Sequence, residues 1–178
     1  MELGLAFLIP IFIFAAVTTG CDEKEPVIKP EGNIFDAISS SDVTSVEQHL
    51  NAETDPDKSF IPEGYPWAGA SALHLAVLVG NQDVVELLLD KGANIEITAK
   101  DQPQGTPLQW TAYFAVLDMT KLLVDFGADI NAKDKNGCTP LCATTIPNLF
   151  VKEKDTEEFL KNRMEIQKFL KTHGAKMK

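Results

Sequence analysis

Residues 128–141 read ADINAKDKNGCTPL. Asp134-Lys135-Asn136-Gly137 is turn chemistry, because Asp and Asn side chains bond nearby backbone and Gly accepts a positive φ. Thr139-Pro140 is a helix start: the hydroxyl caps the first turn, and proline occupies the first helical position, where its missing N–H costs nothing. Just upstream, Leu122, Leu123 and Phe126 share a face at helical spacing, and Gly127 stands where a left-handed residue stops a helix. The stretch therefore joins the end of one helix to the start of the next through a tight turn.

The same pattern recurs. Ser71-Ala-Leu-His74, Thr106-Pro-Leu-Gln109 and Thr139-Pro-Leu-Cys142 align, with Thr106 and Thr139 33 positions apart and Ser71 and Thr106 35 apart. VVELLLDKGANIE at 84–96 aligns with TKLLVDFGADINA at 120–132 when Gly92 is set on Gly127. Earlier, IFDAISSSDVTSVEQHL at 34–50 aligns without a gap on LHLAVLVGNQDVVELLL at 73–89, with Ser41 in place of Gly80. A fixed period of this size marks stacked helical hairpins that share one core. These motifs resemble the ankyrin repeat. The resemblance implies an all-α, ankyrin-repeat solenoid of about four helix-turn-helix repeats, at 34–66, 67–101, 102–134 and 135–178. The first repeat is degenerate, as a terminal unit with one face in water can be. Residues 51–69 form a long connection, with Phe60, Ile61, Tyr65 and Trp67 expected to pack it down. The fourth repeat carries an insertion. Residues 155–171 read as a long amphipathic capping helix with Phe159, Met164, Ile166, Phe169 and Leu170 on its apolar face.

The N-terminal part reads differently. Leu3 to Val17 is fifteen residues without a charge. As a helix it would reach only ~22 Å, short of the ~30 Å hydrocarbon core of a bilayer. That length suits the apolar stretch of a signal peptide. Thr18-Thr19-Gly20-Cys21 follows, and the chain turns polar at once. This resembles a bacterial lipoprotein signal, which implies lipid attachment at Cys21 after removal of residues 1–20. Thr18 stands where that family usually has Leu, and Met1-Glu2 carries no basic residue, so an uncleaved anchor is the alternative. Residues 21–33 then read as a lipidated, solvated tether. The resemblance places the protein in the cell envelope on the extracytoplasmic side, and Asp22 is the residue that retains some such proteins at the inner membrane.

Composition narrows the function. The 178 residues are 44% hydrophobic and 24% charged, as in ordinary globular proteins. Sixteen basic residues against 26 acidic ones give a formal charge of −10, which disfavours nucleic acid as a partner. No nucleophile elbow, phosphate loop or zinc-protease motif is present, and no histidines share metal-ligand spacing with a third donor, so neither catalytic residues, a metal nor a cofactor is expected.

The ankyrin resemblance instead implies a protein-protein interaction module and a monomer. Its variable positions near the end of the first helix map to Leu78, Val79, Tyr113 and Phe114, and to Ser39 and Ser40 in the first repeat. Four apolar residues there form the candidate partner-binding patch. The alternative is an envelope inhibitor or immunity-type factor occluding a basic enzyme site. By the same resemblance, His74 is a structural residue bonding between repeats. His49 and His173, at helix ends, are expected at the surface, and Trp110 and Tyr113 are expected to pack. Cys138 precedes the capping Thr139 while Cys142 lies inside the helix, so their side chains are expected to diverge rather than pair.

Overall fold

The computed structural model describes residues 32–100, 103–148 and 156–177; the apolar leader, Cys21 and the tether up to Glu31 lie outside these. The described chain is all-α. Its helices are α1 (Ile34–Ser39), α2 (Val43–Asn51), α3 (Ala72–Val79), α4 (Gln82–Asp90), α5 (Pro107–Phe114), α6 (Leu117–Asp125), α7 (Pro140–Ala143) and α8 (Thr156–Thr172). They pair as hairpins, α1 with α2, α3 with α4, α5 with α6 and α7 with α8. The first helices stack in the order α1, α3, α5, α7; behind them α2 packs on α4 and α6 on α8.

Local chemistry sets the helix starts. Asn33 and Asp42 cap α1 and α2 through their side-chain oxygens. Ser71, Thr106 and Thr139 cap α3, α5 and α7, with Pro107 and Pro140 in the first turn of the latter two. The stops are backbone-driven: α3 ends on Gly80 at φ 78°, and the equivalent positions hold Ser41 at 58° and Ala115 at 59°. The hairpins bury Ile38, Val46, Leu73, Val85, Leu88 and Leu123 between them, while Ile166 and Leu170 of α8 close the C-terminal end over Leu141. Thr120 occupies a fully buried position in α6 because its hydroxyl reaches the Thr111 hydroxyl at 3.0 Å and the Val116 carbonyl at 2.9 Å.

One hydrogen-bond arrangement repeats along the stack. The carbonyl of Gly105, just before the α5 cap, accepts from Ala99 N at 3.0 Å and from His74 Nε2 at 3.0 Å. The carbonyl of Cys138, just before the α7 cap, accepts from Asp134 N at 3.1 Å and from Gln109 Nε2 at 2.6 Å. The third residue of α3 and that of α5 thus tie their repeats to the next.

Several side chains depart from the sequence expectation. Cys138 and Cys142 form a disulfide with Cα atoms 5.3 Å apart. The reason lies in the cap geometry, which turns the pre-cap Cβ toward the third helical residue. In the preceding repeat a Cβ placed on Gly105 would lie 3.3 Å from Gln109 Oε1, its counterpart in the helix. His49 is buried rather than exposed, since α2 turns its inner face toward the first hairpin's core. Tyr65 is 67% exposed and does not pack the connection down, and Met164 is 64% exposed on α8. Ile166 and Leu170, four apart, are the buried seam of that helix, and Met164 lies off it. The first helix of the fourth repeat is also short. It ends at Ala143, where the Thr144 and Thr145 hydroxyls bond back to Leu141 and Cys142 carbonyls at 2.7 Å.

Candidate functional site

The long connection before α3 folds back on itself. Ile61 N donates to Ala70 O at 2.9 Å and Gly69 N to Ile61 O at 2.8 Å. This closes a loop that carries Trp67, and Trp67 adopts a φ of 62°. A positive φ is uncommon for a bulky residue and is held only where surroundings impose it. Here the surroundings are aromatic. The Trp67 ring meets Phe114 at 5.1 Å and 87°, and Trp110 at 6.3 Å and 62°. Phe114 in turn meets Tyr113 at 4.8 Å and 82°. Such edge-to-face pairs are each favourable by ~1 kcal/mol beyond their burial.

Trp67 and Phe114 form a ridge between two hollows. The smaller, about 340 Å³, is lined by Leu75, Leu78, Val79 and Val116 with the ridge itself. The larger, about 520 Å³, lies between the first helices of the third and fourth repeats and the loop tips in front of them, and Trp110, Tyr113, Ile146 and Asp134 contribute to its wall. Of the four residues singled out from sequence, Leu78 and Val79 therefore face one hollow, Tyr113 the other, and Phe114 both. Ser39 and Ser40 are exposed at the end of α1 and line neither.

The larger hollow is rigidly built. Gly105 permits the close approach of Trp110, since an added Cβ would sit 3.2 Å from its Cδ1. Tyr113 Oη donates to Pro147 O at 3.4 Å, and Asn148 Nδ2 to Tyr113 O at 3.1 Å, so the segment after α7 braces the far wall. Asp134 Oδ1 accepts from Asn136 N and Cys138 N, both at 2.8 Å. The carboxylate is thus fixed by the turn. Sequence reading passed over Trp67, Asp134 and Ile146 as site residues. Trp67 lies in an irregular connection with no counterpart in other repeats, and Asp134 reads first as a turn former.

Burial at His74 is nearly complete, and the loss of hydration lowers its pKa to about 4. Its Nε2 faces a carbonyl and must carry the proton; Nδ1 accepts from Ser71 Oγ at 2.8 Å. It is a neutral structural donor. Among the described residues no group of three His, Cys, Asp or Glu side chains could hold a metal ion.

A model of the ankyrin repeat matches residues 68–101, and a model of ankyrin repeats in many copies matches residues 108–142. The chain carries ankyrin repeats. Protein phosphatase 1 regulatory subunit 27 of Mus musculus is 37% identical over 106 residues, covering 60% of this chain and 64% of that protein. Ankyrin repeat and SOCS box protein 6 of Mus musculus is 42% identical over 73 residues, covering 40% of this chain and 17% of that protein. Alpha-latrocrustotoxin-Lt1a of Latrodectus tredecimguttatus is 26% identical over 108 residues, 61% of this chain and 7% of the toxin. The chain thus spans less than two thirds of each of these relatives. Ankyrin repeats make this a protein-protein interaction module.

Proposed function

We propose that this protein is a membrane-anchored adaptor of the bacterial cell envelope, tethered by lipid at Cys21, whose ankyrin groove binds a protein partner across Leu78, Val79, Tyr113 and Phe114. The observation that carries the binding face is the continuous apolar surface on which Trp67 and Phe114 separate two hollows. The anchor rests on the uncharged run Leu3–Val17 ending at Gly20-Cys21. A disulfide between Cys138 and Cys142 supports a compartment outside the reducing cytosol. Asp22 favours retention at an inner membrane where the host sorts lipoproteins by that position. Among the described residues no helix is long and apolar enough to cross a membrane.

Two variants test it. Cys21→Ser abolishes lipid attachment, read by mass spectrometry of the purified chain; a lipidated variant would refute the anchor. Tyr113→Ala with Phe114→Ala lowers recovery of a partner cross-linked at the native membrane while helicity by circular dichroism is retained. Unchanged recovery would move the interface elsewhere.

A second reading is an inhibitor that occludes a basic enzyme site. The formal charge of −10 and the carboxylate of Asp134 in the groove favour it. One relative is named as a regulatory subunit of a phosphatase. Loss of activity of a basic partner enzyme on binding would select this reading over a purely structural one.

A further inference from the structure

We propose that the larger hollow receives an arginine side chain of a basic partner, its guanidinium over the aromatic wall and paired with Asp134. The proposal rests on the reading of the groove as the binding face, and it adds the chemistry of the anchor.

The wall comes first. Trp67 and Phe114 meet at 87° and Tyr113 and Phe114 at 82°. The rings of Trp67, Trp110, Tyr113 and Phe114 all line the hollow, so a guest meets aromatic surface on this wall. A ring face attracts a cation, and indole does so best. The chain's two tryptophans, Trp67 and Trp110, both stand on this wall.

Charge decides between a cationic and an apolar occupant. Among the described residues, Asp134 is the charged residue of the lining and no Lys or Arg belongs to it. Arg163 borders the far end, but its Nη2 donates to the Ile146 carbonyl and its guanidinium lies 4.9 Å from the Phe159 ring. An apolar side chain seated here would strip water from the Asp134 carboxylate and supply no counter-charge, which is costly. An acidic side chain would be repelled. A guanidinium satisfies both parts of the site, because it is planar, stacks on rings and bonds a carboxylate in a fixed fork. The hollow's volume of about 520 Å³ holds the head and its methylene stem. A formal charge of −10 on the chain steers a basic partner toward it.

Because both tryptophans are at the site, their fluorescence reads occupancy directly. The test titrates the full chain in mild detergent with a short Gly-Ser peptide carrying Arg-Arg, with its citrulline counterpart, and with its leucine counterpart. The arginine peptide gives a saturable change, and the other two bind at least about tenfold more weakly, a difference of about 1.4 kcal/mol. Asp134→Asn keeps the Oδ1 acceptor that holds the turn and removes the charge; it weakens the arginine peptide about tenfold and leaves the leucine peptide unchanged. Trp67→Ala reduces the fluorescence change and the affinity together. Equal binding of arginine and citrulline peptides, an Asp134→Asn chain that binds arginine like the parent, or no response to the arginine peptide overturns the proposal. Preference for the leucine peptide also overturns it while leaving an apolar groove standing. Failure of the groove reading itself would appear elsewhere, as partner recovery indifferent to Tyr113→Ala with Phe114→Ala.

Discussion

His74 donates from Nε2 to the carbonyl oxygen of Gly105, 3.0 Å away and 31 residues further along the chain. That bond joins the second repeat to the third, and it requires a neutral imidazole with the proton on Nε2. Desolvation by burial holds the folded pKa near 4, against 6.5 for the free side chain. The unfolded chain therefore binds a proton first as pH falls. Stability from this group is fully present above about pH 6.5 and is lost as pH falls toward 4, by on the order of 3 kcal/mol. His49 is shifted in the same direction by burial and adds to the effect. Denaturant melts between pH 7 and pH 4 will show this decline. His74→Gln will flatten it, because Gln109 makes the equivalent bond in the next repeat with an amide that does not titrate. A pH profile unchanged by His74→Gln would show that other groups set the acid sensitivity.

Ala115 ends α5 at a φ of 59°, where the preceding repeat uses Gly80. A Cβ in the left-handed region costs roughly 1 kcal/mol, and glycine does not pay it. Ala115 is 5% exposed, so its methyl also contributes packing. Ala115→Gly is expected to gain no stability, as the loss of one small buried group and of chain stiffness in the unfolded state offsets the relief of strain. Gly80→Ala, at an exposed position, introduces the strain with no packing gain and lowers stability by up to about 1 kcal/mol. Urea midpoints of the two variants check this: a clear rise for Ala115→Gly or for Gly80→Ala would contradict it.

The Cys138–Cys142 bond encloses a short loop, with a sequence separation of four. Loop-closure entropy for so few residues limits its stabilisation to about 2 kcal/mol. Reduction, or Cys138→Ala with Cys142→Ala, should therefore leave the array folded with a melting temperature lower by a few degrees. The four-residue α7 and the wall it gives the larger hollow should loosen first, since the bond spans the start of that short helix. Amide exchange localised to residues 138–146 would show this. Global unfolding on reduction would contradict it.

The repeat period, the caps at Ser71, Thr106 and Thr139 and the core residues Leu73, Leu88 and Leu123 were legible because each follows from local chemistry or helical spacing. The disulfide was not, because its geometry depends on a turn before the helix that residue spacing does not encode. The patch at Leu78, Val79, Tyr113 and Phe114 could be placed in sequence, but its division into two hollows could not. That division is made by Trp67, whose loop returns over the groove through long-range backbone bonds and whose φ no periodicity foretells.

Trp67 separates fold from function. It is 37% exposed and holds a left-handed backbone, a strain that its ring contacts and partial burial offset. Trp67→Gly removes the ring, with two edge-to-face pairs at ~1 kcal/mol each and their burial, and relieves backbone strain of roughly 1–2 kcal/mol. The relief is the smaller effect, so the melting temperature should fall by a few degrees. The ridge between the hollows would vanish, and a partner or peptide seated against Phe114 would lose one wall. Affinity should fall at least about tenfold, the loss of a single aromatic anchor of modest worth. Thermal melts and fluorescence-independent binding, by calorimetry, measure the two quantities side by side. A chain that melts much lower yet binds normally would make Trp67 a packing residue of the connecting loop and would remove the ridge from the binding face.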